Sequence, residues 1–159
     1  AVTILRQFFF SAYQQLLFGE LQRSNDGQLA AIAAKAMKEI AYHLRWSSEW
    51  VIRLGDGTTE SRQRMENAIA TLWHFTDEIF IPANYELDLV QESEIADISK
   101  LKDRWHQKVK SVFDEATLPV PGSSLAMTGG KEGKHSAHLA DILKEMQSVA
   151  RAHPPSAAW

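Results

Sequence analysis

Cysteine is absent from the 159 residues, and neither sign of charge dominates them. The lack of cysteine excludes a disulfide framework, a zinc ribbon and a thiol nucleophile, and makes a reducing cytoplasm the expected location. Lys and Arg number 17 against 20 Asp and Glu, which gives a net charge of -3. Most nucleic-acid and anionic-membrane binders carry a basic footprint that this balance lacks. We therefore expect no nucleic-acid partner.

Long apolar runs are also missing. Arg6, Gln14 and Glu20 interrupt the most apolar stretch, so no run is long enough to span a bilayer. No charged leader precedes an apolar block, as a signal peptide requires. We expect no membrane partner. Apolar residues make up 45% of the chain, which is enough for a single folded domain over residues 1–159.

Apolar residues recur at helical spacing in five stretches, and none shows the alternation that is typical of a strand. This pattern predicts an all-α fold. Turn clusters and prolines separate the stretches. The predicted helices cover about residues 2–23, 28–54, 59–80, 98–116 and 135–152. Between the third and fourth, an acidic connector is predicted over residues 83–97, with Glu86, Asp88, Glu92, Glu94 and Asp97 on a solvated surface.

The first predicted helix is apolar on every side. Its aromatic residues, which surround it almost completely, are Phe8, Phe9, Phe10, Tyr13 and Phe18. A helix apolar on all sides must be buried on all sides, so we expect association. The chain also begins without Met inside this amphipathic pattern, which predicts a fragment. As a fragment it is expected to form a homo-oligomer, in which the first two helices complete a four-helix core with another copy.

The second predicted helix carries a heptad-like stripe. Its members, seven apart, are Leu29, Ala36, His43 and Trp50, and the residues between them are Ile32 or Ala33, Ile40, Ser47 and Leu54. This spacing is typical of a helix packed along most of its length against antiparallel neighbours. We therefore predict that the stripe faces the core.

A di-iron centre in such a bundle needs a Glu from one helix and a Glu-x-x-His pair from the next, twice over. The stretch from Ala1 to Gly19 contains no Asp, Glu, His or Cys. On the second helix, Glu39 and His43 are four apart rather than three, although they share a face. They are either a metal-ligand pair or a buried histidine held by a carboxylate of the same helix, and we favour the second interpretation. We assign no catalytic and no cofactor-binding residue.

Two other sets of polar residues lead to predictions. Asp103 and His106 have i, i+3 spacing but lie among lysines, so we place them on a solvated face without metal. The run over residues 129–135 lacks the fifth spacer position and the Ser or Thr of a phosphate-binding Walker motif. Lys131, Lys134 and His135 nevertheless precede a helix start and are candidates for contact with an anion or a partner. The alternative is a structural turn whose glycines allow positive φ.

The stretch from Leu29 to Arg45, LAAIAAKAMKEIAYHLR, resembles the family of ferritin-like C-type subunits of bacterial phenylacetyl-CoA ring-1,2-epoxidases. Further similar motifs are WVIRLGDG at 50–57, LWHFT at 72–76, EATL at 115–118, the run 128–135, EMQ at 145–147 and the closing Trp159. The resemblance covers essentially the whole chain. It implies a ferritin-like helical bundle, of which this chain is the C-terminal portion and lacks the first two helices. One departure is Ser136-Ala137, where relatives tend to have Thr-Glu.

The resemblance implies a structural, non-catalytic subunit of an oxygenase in aerobic phenylacetate catabolism. Its expected partners are the catalytic subunit, which would hold the di-iron site and bind phenylacetyl-CoA, and the other components of the complex, including a reductase. No cofactor is expected in this subunit. The rival hypothesis is a ferritin-like metal-binding oxidoreductase that uses Glu39 and His43 with ligands from absent helices. A third is a helical adaptor unrelated to oxygenation.

Overall fold

A computed structural model describes residues 1–91, 95–122 and 126–153. The predicted all-α class is confirmed, because the described residues form helices and turns without a strand. This architecture is consistent with a ferritin-like helical bundle. The α-helices are α1 (Val2–Leu21), α2 (Gly27–Gly55), α3 (Thr59–Leu72), α4 (Asn84–Gln91), α5 (Lys102–Glu115), α6 (Ala137–Met146) and α7 (Ser148–Ala152).

Helices α1 and α2 form a hairpin, and it is the most extensively packed helix pair in the fold. The loop between them ends at Asp26, whose carboxylate accepts hydrogen bonds from the main-chain N–H groups of Gln28 and Leu29 at 2.8 and 3.2 Å. This N-cap satisfies amides that have no partner inside the helix, and so fixes where α2 begins. The side of α2 that is buried carries Ala33, Ile40, Leu44, Ser47 and Val51.

The core is an aromatic cluster in which α1 meets α5 and the end of α3. The Phe9 ring lies 5.4 Å from that of Trp105 and 5.8 Å from that of Trp73, measured between ring centroids. Phe113 lies 6.3 Å from Phe8 in the same cluster. Each such ring removes a large apolar area from water, so these contacts dominate the stability of the helix assembly.

A close approach of backbones joins the end of α2 to the end of α5. A Cβ atom placed on Gly55 would lie 2.6 Å from the carbonyl oxygen of Ala116 and 2.9 Å from the Leu118 side chain. Only glycine fits there. Beside it, the Arg62 guanidinium donates to the Thr117 hydroxyl at 2.6 Å and to the Thr117 carbonyl. Thr117 has a φ of 54°, a left-handed conformation that a β-branched residue rarely adopts.

Three predicted segments differ from the structure. The helix predicted over 59–80 ends at Leu72, and two 3-10 turns, Trp73–Phe75 and Asp77–Phe80, replace its remainder. Helix α5 is preceded by another 3-10 turn, Ile98–Leu101, and the last predicted helix divides at Gln147 into α6 and α7. The Thr76 hydroxyl donates to the Trp73 carbonyl at 2.7 Å, which competes with regular helical bonding.

The predicted acidic connector over residues 83–97 contains a helix. Helix α4 begins near Ala83, whose main-chain N–H donates to the Glu86 carboxylate at 2.7 Å, so this acid caps the helix. Glu86 also contributes to the environment of Tyr13, whose pKa is raised to about 12 mainly by burial and further by this negative charge. Asp88 is exposed as predicted, whereas Glu92 and Glu94 lie outside the described residues.

The prediction that α1 is buried on every side is wrong for one of its faces. Phe8 and Phe9 are buried, Tyr13 and Phe18 are half-buried, and Phe10 is 44% exposed. The helix packs against α2, α3 and α5, and these neighbours leave the Phe10 side uncovered within the described chain. The expected association stays a prediction.

The structure divides into two compact units, residues 1–127 and the unit that begins at Thr128. The first holds α1 to α5 and the core, whereas no described residue of the second is buried. The prediction of one domain over residues 1–159 stays a prediction. None of the described helices combines the length and the apolar character needed to cross a membrane.

Candidate partner-binding face

The second half of α2 presents three large aromatic side chains to solvent. Tyr42, Trp46 and Trp50 are 55%, 38% and 37% exposed, and their spacing of four places them along one side of the helix. The Trp46 and Trp50 rings lie 6.4 Å apart between centroids. Burying such rings is favourable, so an exposed row of them is typical of a surface that binds something.

Two arginines accompany these rings. The Arg45 guanidinium carbon lies 5.9 Å from the centre of the Tyr42 ring, and that of Arg53 lies 5.6 Å from the Trp50 ring. These distances are within the range of cation–π attraction. Neither arginine forms an ion pair with any residue that the structure describes. We refer to Tyr42, Arg45, Trp46, Trp50 and Arg53 as the aromatic–arginine ladder.

The predicted heptad stripe only partly faces the core. Ala33, Ile40 and Ser47 are buried, but Ile32, His43 and Trp50 are exposed. A straight α-helix turns away from a seven-residue repeat by about 20° per heptad, which carries the end of the stripe toward solvent. The buried side instead follows a period near 3.6, through Leu44 and Val51.

The favoured interpretation of Glu39 and His43 is therefore wrong in two respects. Both side chains are exposed, and no hydrogen bond joins them among the described residues. The His43 ring instead lies 5.7 Å from that of Tyr42, and its main-chain carbonyl accepts the Ser47 hydroxyl at 2.7 Å. In the described part of the chain, no group of three His, Asp or Glu side chains that could hold a metal includes this pair.

The three residues predicted to contact an anion or a partner lie just before α6. Gly129 and Gly133 have φ values of 108° and 81°, as the structural-turn interpretation requires. Lys134 pairs with Glu132 at 3.2 Å, with both side chains largely exposed. His135 is exposed and Lys131 is half-buried. The geometry is that of a glycine-supported turn, and the proposed contact with an anion or partner stays a prediction.

His106 is not on a solvated face as predicted. It is half-buried, with its ring 5.2 Å from that of Trp105 and 5.9 Å from that of Trp73, while Asp103 is exposed. Burial lowers the pKa of His106, and the nearby Lys102 ammonium lowers it further. The residue is thus part of the edge of the aromatic core. The lysine-rich sequence around it conceals this, because a helix alternates faces every three to four residues.

Surface hollows in the first unit are lined by groups that already have partners. A cavity of about 310 Å³ lies beside Glu20, Asp97 and Arg104. Glu20 pairs with Arg104 at 2.9 Å and with Arg23 at 3.0 Å, and hydrogen bonds from Ser99 lower the pKa of Asp97. The hollow therefore offers no uncompensated charge for a ligand.

Sequence reasoning missed the aromatic–arginine ladder, although a signal for it was present. The pairs Tyr42–Arg45 and Trp50–Arg53 both have i, i+3 spacing, which places each guanidinium over its ring on one helix face. An aromatic residue next to an apolar stripe was assigned to the core instead, since apolar residues are usually buried.

A family model described as "Phenylacetic acid catabolic protein" matches residues 1–159. The chain is also 46% identical over 154 residues to a protein of Escherichia coli (strain K12) that is described as the C-type subunit of 1,2-phenylacetyl-CoA epoxidase. The match covers 97% of this chain and 62% of that relative. The chain thus spans less than two thirds of the length of the curated relative it matches. The prediction that it corresponds to a C-terminal portion is not supported by these coverage values.

Proposed function

Because the chain belongs to the phenylacetic acid catabolic protein family, we propose that it is a non-catalytic structural subunit of a multicomponent phenylacetyl-CoA ring-1,2-epoxidase. The observation that carries this proposal is the 46% identity, across nearly the whole chain, to a protein described as one of the subunits of such an enzyme. In this role the chain stabilises the catalytic subunit, and the assembly works in the cytoplasm in phenylacetate catabolism.

The surface of the first unit supports a role in assembly. Trp46 and Trp50 are exposed on one helix face, together with two arginines that have no ionic partner in the described chain. Trp, Tyr and Arg are the residue types that contribute most to protein–protein binding energies. A subunit whose function is to bind another subunit needs such a surface.

The di-iron centre of the proposed enzyme is assigned to the catalytic subunit. Such a centre needs four carboxylates and two histidines that converge in a bundle interior. Glu39 and His43 do not fit this requirement, because they are two exposed side chains on one helix face, without a third ligand in the described chain. The centre would activate dioxygen, and this chain would contribute the shape and stability of the subunit that holds it.

Reconstitution tests the proposal. The catalytic subunit, the reductase and the remaining components are combined with and without the 159-residue chain, and formation of the ring epoxide of phenylacetyl-CoA is measured. We expect epoxidation to be lost on omission and restored when the chain is added back, while the iron content of the catalytic subunit is unchanged. An unrelated helical protein at the same concentration is the control. Equal rates with and without the chain would contradict the proposal.

A further inference from the structure

Helix α2 is positively charged in a chain whose net charge is negative. It carries four basic residues, Lys35, Lys38, Arg45 and Arg53, and two acidic residues, Glu39 and Glu49, so its net charge is +2 against -3 for the chain. None of the six forms an ion pair with a residue that the structure describes. By contrast, most ion pairs in the first unit involve α3 and α5, for example Arg62 with Glu66 and Lys110 with Asp114.

The charges and the rings of α2 form one continuous surface. The aromatic–arginine ladder extends from Tyr42 to Arg53, about 17 Å along the helix axis at 1.5 Å per residue. Each guanidinium is held over a ring and not by a carboxylate, so its charge remains available to a partner. Unpaired arginines beside exposed rings gain most when a carboxylate approaches in a desolvated contact.

A second copy of the chain does not match this surface. In a two-fold symmetric pair each copy contributes the same patch. A two-fold axis that crosses α2 between Trp46 and Trp50 would bring Arg45 of one copy toward Arg53 of the other. Like charges at close range oppose such a pairing. The complementary surface must therefore come from a chain with acidic residues at these positions.

We infer that the aromatic–arginine ladder is the surface through which this chain binds the catalytic subunit, at an apolar helical face that places carboxylates opposite Arg45 and Arg53. This inference rests on the proposed function and adds to it the surface and the chemistry of the partner. Tyr42, Trp46 and Trp50 supply the apolar contact area. The two arginines supply orientation, since only a partner with matching acids compensates both of them.

Binding of the 159-residue chain to the purified catalytic subunit, followed by calorimetry, tests the inference. Trp46→Ala removes a ring of the ladder, and Arg53→Glu reverses one of its charges. We expect each to raise the Kd at least about tenfold. The matched controls are Tyr85→Ala on α4 and Arg64→Glu on α3, both exposed and outside the ladder, and we expect them to bind within about twofold of the unchanged chain.

The salt dependence provides a second readout. The Kd of the unchanged chain should rise with added salt, because the arginine–carboxylate contacts are screened, and that of Arg53→Glu should rise less. Circular dichroism verifies that each variant remains helical.

The outcomes separate the two proposals. If the unchanged chain binds and all four variants bind equally well, the ladder is not the interface, and the proposed function stands. If the chain alone forms a dimer that Trp46→Ala dissociates, the occupant is a second copy and the inference is overturned. If the unchanged chain does not bind and its omission leaves epoxidation intact, both proposals fail.

Discussion

The indole Nε1 of Trp105 donates a hydrogen bond to the main-chain carbonyl of Phe9, with 3.0 Å between the two atoms. The bond is buried and connects α5 to the middle of α1. A buried donor that loses its partner would cost free energy, so this bond fixes the position of the largest core side chain. It therefore couples the α1–α2 hairpin to the rest of the first unit.

Trp105→Phe is expected to lower the free energy of unfolding by about 2 kcal/mol, because it removes the hydrogen bond and leaves a cavity in the aromatic cluster. Chemical denaturation measures this change. Trp46→Phe is the control, since Trp46 is partly exposed and has no comparable bond, and we expect a loss below about 0.5 kcal/mol. Equal losses for the two variants would contradict the role given to the Trp105 bond.

Gly55→Ala is expected to destabilise the fold by about 2 kcal/mol, because the added methyl would overlap the Ala116 carbonyl and the Leu118 side chain. Gly19→Ala is the matched control. Gly19 lies inside α1 with no atom within 4 Å of an added Cβ, so alanine there should stabilise the helix by about 0.5 to 1 kcal/mol. Thermal unfolding of both variants measures these opposite signs. A stable Gly55→Ala protein would show that the two backbones are not in close contact.

The metal hypothesis for Glu39 and His43 has a direct test. Two exposed side chains on one helix face are too few for a stable iron site, so we expect no stoichiometric iron after incubation with Fe(II) and desalting. Glu39→Ala and His43→Ala should leave the metal content unchanged, as measured by inductively coupled plasma mass spectrometry. Iron bound in stoichiometric amount, and lost in Glu39→Ala, would instead support the metal-binding oxidoreductase.

The sequence allowed the α1–α2 hairpin to be predicted because its signals are local. The Asp26 cap and the glycine at the end of α2 both act within one helical turn. The face of α2 that is buried was predicted less well, since a small error in periodicity accumulates over the 29 residues of the helix. The close contact of Gly55 with Ala116 joins distant parts of the chain, and no local pattern announces it.

The ladder illustrates the same difference at the candidate site. The order of Tyr42, Arg45, Trp50 and Arg53 was visible in the sequence, but whether these residues face the core depends on what packs against α2. In the structure, α1, α3 and α5 pack against α2 and leave this side open within the described chain. Tertiary packing therefore decides between a core stripe and a binding face.

The contact between Arg62 and Thr117 stabilises a strained backbone. Arg62→Ala removes two hydrogen bonds to Thr117 and is expected to cost about 1 to 2 kcal/mol. Thr117→Gly relieves the left-handed strain but loses the hydroxyl acceptor, so its effect should be small in the unchanged chain. In the Arg62→Ala background, where the hydroxyl no longer contributes, Thr117→Gly should stabilise by about 1 kcal/mol. A double-mutant cycle by chemical denaturation measures this difference, and strictly additive effects would contradict the coupling.

The stability of the first unit is expected to fall as the pH decreases through the range in which His106 titrates. Burial and Lys102 lower its pKa below the ordinary 6.5, although Asp77 and Asp103 act in the opposite direction. Below pH 6.5 the unfolded chain therefore binds a proton that the folded chain does not. The free energy of unfolding is at its full value above that pH and decreases below it until the folded histidine is also protonated. His106→Gln should flatten this part of the pH profile measured by chemical denaturation. His138→Gln on α6, an exposed position, is the control, and a flattening of equal size in that variant would contradict the assignment to His106.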